Sequence, residues 1–164
     1  MIIYHGSNET VKKPNLDLSR KSLDFGAGFY TTVNKEQAVD FSRKVAIRKG
    51  DSNKFVNVYD FDEKASEPAL RVLRFTVPDI SWLNFVYENR RGVYTGKTYD
   101  LIVGPVANDD VYATLIVYEQ GILNIEQTIE ALKIKDLYNQ YVFKTEKALS
   151  FLKFIESYHS EVST

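Results

Sequence analysis

The chain opens on a short apolar run, Ile2-Ile3-Tyr4-His5, with the character of a strand. From Glu9 to Phe25 the pattern turns polar and is interrupted by Pro14, which predicts a loop. Gly28 to Thr32 is aromatic and β-branched and predicts a second strand. Asn34 then stands at an N-cap position, with Gln37 three residues later as its capping-box partner. Ala38, Phe41 and Val45 follow at helical spacing and carry a helix to about Lys49. Phe55 to Phe61 and Leu70 to Val77 read as strands, the second stopped by Pro78. Asp79 caps a helix bearing Trp82, Leu83 and Val86 that ends near Gly92. Tyr99 to Val106 has the pattern of a buried strand, closed by Gly104-Pro105.

The last third is more helical in pattern. Asp110 to Glu119 predicts a helix that Gly121 can end. Asn124 and Gln127 form a second capping box ahead of Ile129 and Leu132. Gln140 to Phe143 predicts one more strand, and Thr145 caps a final helix with Ala148, Leu149, Leu152 and Ile155 on one face. Strands and helices do not alternate regularly, so the expected class is α+β rather than a doubly wound α/β sheet. No repeat, low-complexity tract or linker divides the sequence, and a single domain over residues 1–164 is expected.

Charge and composition narrow the functional classes. A net charge of −1 argues against broad attraction to nucleic acid or an anionic membrane. The basic pairs Lys12-Lys13, Arg20-Lys21, Arg43-Lys44, Arg48-Lys49 and Arg90-Arg91 read as solvated surface, and RNA binding through them and the many aromatics is a weak reading. The absence of cysteine excludes disulfides, thiolate metal sites and a cysteine nucleophile. Two histidines, His5 and His159, do not make a usual zinc shell, and His159 is expected to be exposed in a polar terminus, so no metal is expected. Neither a signal peptide nor a membrane-length apolar run is visible, which makes a cytoplasmic protein with no membrane partner the expectation.

Two runs carry candidate chemistry. In Tyr4-His5-Gly6-Ser7 a neutral imidazole offers one donor and one acceptor, enough to bond a ribose hydroxyl, and Gly6 lets a ligand approach the backbone. A primary amide such as that of nicotinamide could pair with the N–H and C=O there. The alternative is a histidine bonded inside a strand end. In Phe25-Gly26-Ala27-Gly28-Phe29-Tyr30 the glycines precede a strand, so the run is not a Rossmann fingerprint. They allow a tight loop, after which Tyr30 presents a ring for stacking. Phe41, eleven residues on, is placed to supply the opposite face of a slot. For both rings core packing stays open as the alternative, and Phe29 reads as core.

The order His-Gly-Ser, Gly-x-Gly-Phe-Tyr and then a helix bearing Phe41 resembles the NAD-binding core of ADP-ribosyltransferases, nearest the diphtheria-toxin and poly(ADP-ribose) polymerase branch with its His–Tyr–Glu triad. More narrowly, Tyr4 to Ser7, Asp24 to Thr32, Gly104 to Asp109 and Gln140 to Leu149 resemble a bacterial family of unknown function, DUF3990, over nearly the whole chain. The resemblance implies a split β-sheet core with flanking helices and NAD as co-substrate. It implies that His5 holds the adenosine-side or nicotinamide ribose and that Gly6 pairs its backbone with the carboxamide. It further implies that Tyr30 and Phe41 sandwich the nicotinamide ring, with Ser7, Phe25, Gly28 and Thr31 in the same binding region.

Gln140 falls where the family triad carries glutamate. Glutamine can make the hydrogen bond but carries no charge, and charge stabilisation of that kind is worth about 2.7–4 kcal/mol. Glu146, nearby in sequence, is better explained as an acidic residue at a helix start. Asn108 and Asp109 follow the buried strand and can orient a ribose or serve as a base, while Asp110 reads as a cap. With His5, Tyr30 and Gln140 as the catalytic set and their side chains facing a common cleft, the expected function is mono-ADP-ribosyl transfer. The acceptor, a protein, nucleic acid or small molecule, has no readable motif. Family analogy suits a toxin or phage-defence effector and leaves room for an antitoxin or regulatory partner. The alternatives are an NAD glycohydrolase, or a catalytically impaired module that binds NAD or ADP-ribose.

Overall fold

The computed structural model describes residues 1–106, 109–133 and 138–160, with Asp109 as backbone only. The strands are β1 (Ile2–Ser7), β2 (Phe29–Thr32), β3 (Phe55–Phe61), β4 (Val72–Arg74), β5 (Leu101–Pro105), β6 (Asn139–Phe143) and β7 (Leu152–His159). They form one sheet in the order β4-β5-β6-β2-β1-β3-β7. The β4–β5 pair is parallel and the others are antiparallel. The helices are α1 (Lys35–Lys49), α2 (Glu63–Ser66), α3 (Ile80–Arg90), α4 (Asp109–Glu119), α5 (Ile125–Lys133) and α6 (Glu146–Leu149). This is the α+β class expected, with the chain doubling back so that its first and last strands flank β3.

Alternation along the strands divides the core in two. On one face Ile3, Phe29, Tyr59, Phe61, Leu101, Val103, Tyr141 and Phe143 pack together. On the other, Phe25, Ile102 and Val142 pack with Trp82, Leu83 and Val86 of α3, Val111 and Leu115 of α4 and Leu132 of α5. Helix α1 lies over β1 and β3 on this second face, shown by Gly6, whose ideal Cβ would stand 2.1 Å from the Ala38 carbonyl. The second face therefore carries two helical groups, α1 over one half of the sheet and α3 to α5 over the other. Between them runs the line of β2. Among the described residues no helix is long and apolar enough to cross a membrane.

Local signals place most boundaries. Asn34, Asp79 and Thr145 each accept a backbone N–H at the start of α1, α3 and α6. Asn124 and Gln127 bond reciprocally as a full capping box. Helix α1 stops at Gly50, whose φ of 63° is left-handed. Three expectations need correction. Residues 70–77 yield only the three-residue β4, and α2 was not foreseen. Asp110 lies inside α4, which begins at Asp109, and so does not cap it. The final helix is a single turn, and Leu152 and Ile155 belong to strand β7. Leu152, Ile155 and their neighbours fit helical spacing locally. The free edge of β3 offers a full ladder for them, with pairing from Phe61↔Leu152 to Phe55↔His159. A partner almost a hundred residues away leaves no trace in local periodicity. His159 ends this strand, exposed as expected, with its ring 4.0 Å from that of Phe55.

Phe61 tests the first core. It is fully buried, with ring centroids 5.1 Å from Phe143 and 6.0 Å from Tyr141. Phe61→Ala should cost about 3–5 kcal/mol. Urea unfolding should show a lowered midpoint with an unchanged slope.

Candidate functional site

The seam between β1 and β2 is the narrowest in the sheet. Strand β1 registers with β3 from Ile2↔Asp60 to Ser7↔Phe55, but with β2 only at Tyr4↔Thr32. Met1 and Phe61 exchange both backbone hydrogen bonds, at 2.9 and 2.8 Å. Alternation then assigns the polar groups of Ile3, His5 and Ser7 to β3 and those of Ile2, Tyr4 and Gly6 to β2. The N–H and C=O of Gly6 thus point into the seam just beyond its last registered pair.

His5 closes that gap with its side chain. Its Nδ1 lies 2.7 Å from the Tyr30 carbonyl, and its ring lies 4.2 Å from that of Phe29. A carbonyl only accepts, so Nδ1 carries the proton and Nε2 is left as an acceptor in the neutral ring. Burial lowers the His5 pKa to about 4, against the opposing effect of the bond to Tyr30. Asn57, the β3 partner of His5, is fully buried. Its amide donates to the Glu9 carbonyl at 3.1 Å and accepts from Val11 N–H at 2.8 Å, tying down the segment after β1.

Gly6 is needed for a reason other than ligand access. A Cβ there would meet Ala38 O, Ser42 N at 2.6 Å and Phe41 Cβ at 2.9 Å, so the missing side chain admits helix α1. Phe41 stands on that helix beside the seam, 38% exposed. Ser7 ends β1, buried.

Tyr30 leaves β2 on the face opposite His5, packed against the second core beside Val142, its β6 partner. The two residues meet through the Tyr30 backbone, and their side chains do not share one open cleft. Tyr30 and Phe41 do share a face. The Tyr30 hydroxyl donates to Gly26 O at 2.6 Å and accepts from Phe25 N–H at 2.9 Å. Burial, reinforced by the charge of Asp24, pushes its pKa well above the usual range, so the phenol stays protonated. Gly26 takes a φ of 73° at this turn, with Asn89 Oδ1 2.8 Å from where its Cβ would be. Lys144 donates to the Phe25 carbonyl, and burial lowers its pKa to about 8. Phe25 itself is fully buried between Phe75 and Phe85, so it braces the turn from below. Gly28 is bound to Ser19 Oγ and passes so close to β6 that a Cβ would lie 2.6 Å from Val142 Cγ1.

The floor of β2 and β6 is polar and uncharged. Thr32 and Gln140 pair across the strands, both buried. Thr32 donates to Gln37 Oε1 at 2.6 Å and accepts from Asn34 N–H at 3.0 Å. The expected capping box at α1 is therefore a relay through Thr32. Gln140 Nε2 reaches the Pro105 carbonyl at 3.4 Å. Thr31 faces the other core and donates to Tyr141 O. Asn108 lies outside the described residues, and Asp109 is the first residue of α4. Glu146 is exposed in the first turn of α6. Among the described residues no three His, Cys, Asp or Glu side chains group to hold a metal. A surface depression lined by Arg71, Val72, Lys97, Thr98 and Tyr99 lies at the β4 edge and contains none of these residues.

A seam held by an imidazole, backed by a glycine against a helix and flanked by a glycine turn, accounts for the first two blocks noted in the sequence. The chain matches the family described as "Protein of unknown function (DUF3990)" over residues 1–154. It belongs to that family. No curated protein and no solved structure matches it.

In this DUF3990 member, sequence reasoning passed over Lys144, Ser19 and Asn57. Lys144 stood inside a quoted block, yet nothing local marks a lysine as a clamp on a turn more than a hundred residues earlier. The His5 environment has a measurable consequence. The unfolded imidazole takes its proton near pH 6.5 and the folded one near 4. Between these values the unfolded state binds more protons, so stability is complete above the upper value and falls as pH is lowered through the window. The loss should approach about 3 kcal/mol at the acid end. Urea unfolding of the native protein and His5→Gln across this range should show that component only in the native protein.

Proposed function

We propose that this protein takes NAD⁺ at the β1–β2 seam and transfers its ADP-ribose to an acceptor. The Gly6 backbone carries the reading: strand alternation from the Met1–Phe61 pair directs its N–H and C=O together into the seam. That donor and acceptor are complementary to a primary carboxamide. His5, projecting to the opposite face, holds the Tyr30 carbonyl that borders the seam. Tyr30 and Phe41 flank the same stretch on one face and supply aromatic surface for a nicotinamide ring. In the reaction the nicotinamide–ribose bond breaks with its electron pair leaving on nicotinamide. The ribose carbon gains oxocarbenium character, and an acceptor nucleophile then bonds to it and loses its proton. With water as acceptor the same site is an NAD glycohydrolase.

One observation favours a second reading. Gln140, at the floor, is buried and uncharged. A site without a carboxylate there fits a module that holds NAD or ADP-ribose without turnover. Incubation with NAD⁺ and measurement of free nicotinamide separates the two. Under the first reading His5→Ala and Tyr30→Ala each lower release by about tenfold or more. Binding of ADP-ribose with no nicotinamide release supports the second, and neither binding nor release overturns both.

A further inference from the structure

The surroundings of Gln140 decide what can stand at that position. The Pro105 carbonyl accepts from the Trp82 indole N–H at 3.1 Å and from Gln140 Nε2 at 3.4 Å. Trp82 is fully buried and Gln140 is 3% exposed. A carbonyl oxygen has two lone pairs and no proton, so each group facing Pro105 must be a donor. The amide of Gln140 supplies one and the indole the other. This fixes which end of the amide points inward. The inward end of the side chain is thus the Nε2 amide group, bonded to Pro105. A carboxylate in its place would set a buried negative charge against a carbonyl oxygen.

We propose that the Trp82–Pro105 pair selects an amide at position 140, holding Nε2 inward against the Pro105 carbonyl. Gln140 is then the residue this floor is built around, and glutamate is the misfit. The preference for an amide stands on the buried geometry alone, apart from the function proposed above.

Gln140→Glu and Gln140→Met test this preference. The Glu variant can donate to Pro105 only when protonated. Its folded pKa then lies above the ordinary value for glutamate, the folded state binds the extra proton, and stability falls as pH rises. Its melting temperature should be close to that of the native protein near pH 5 and lower by about 5 °C or more near pH 8. Gln140→Met, which has no group to titrate, should show a deficit that does not change over this range. A Glu variant as stable as the native protein at pH 8, or with a pH-independent deficit, overturns the selection of an amide. If the native protein neither binds ADP-ribose nor releases nicotinamide, the proposed function fails, and the melting profiles still decide the amide preference.

Discussion

The hydrogen bond from His5 Nδ1 to the Tyr30 carbonyl is the interaction on which the rest of the site depends. A β-sheet normally satisfies carbonyls strand to strand. Here a side chain takes that part at the one seam where two strands register at a single pair. The imidazole satisfies β2 and holds it beside β1 at the same time. The polar groups of Gly6, by alternation, are directed into the same seam.

Two kinds of glycine frame this seam, for opposite reasons. Gly6 and Gly28 have ordinary backbone angles and are needed for space, one against α1 and the other against β6. Gly26 is needed for its left-handed angle, and the turn it makes is tied down by Tyr30 and Lys144 and closely approached by Asn89. The Tyr30 phenol is thereby engaged in shaping the turn, and its ring is the part left for other contacts. The order glycine-x-glycine-aromatic thus encodes a turn, a close approach and a clamp in sequence.

Desolvation sets the electrostatics. It keeps His5 uncharged and Tyr30 protonated, and the floor adds Thr32 and Gln140, neither of which ionises. Neutral donors and acceptors in a low-dielectric setting interact through hydrogen-bond geometry. Under the proposed function they would offer little charge to a developing cation, which separates binding from turnover.

Local pattern determined what depends on neighbours in the chain: the caps at Asn34, Asp79, Asn124 and Thr145, the glycine stop after α1, the α+β class, and the blocks that carry the family membership. The resemblance also singles out His5, Gly6, Tyr30, Phe41 and Gln140. Only the tertiary structure decided that residues 152–159 are a strand, because the edge of β3 that captures them is distant in sequence. It alone showed that His5 and Tyr30 project to opposite faces and join through a carbonyl, that Gly6 makes room for a helix, and that Phe25 is core. Trp82 and Pro105, which set the environment of Gln140, lie on other elements. Propensity and capping act over a few residues, whereas register, burial and the pairing of a buried polar group depend on whatever the fold brings alongside.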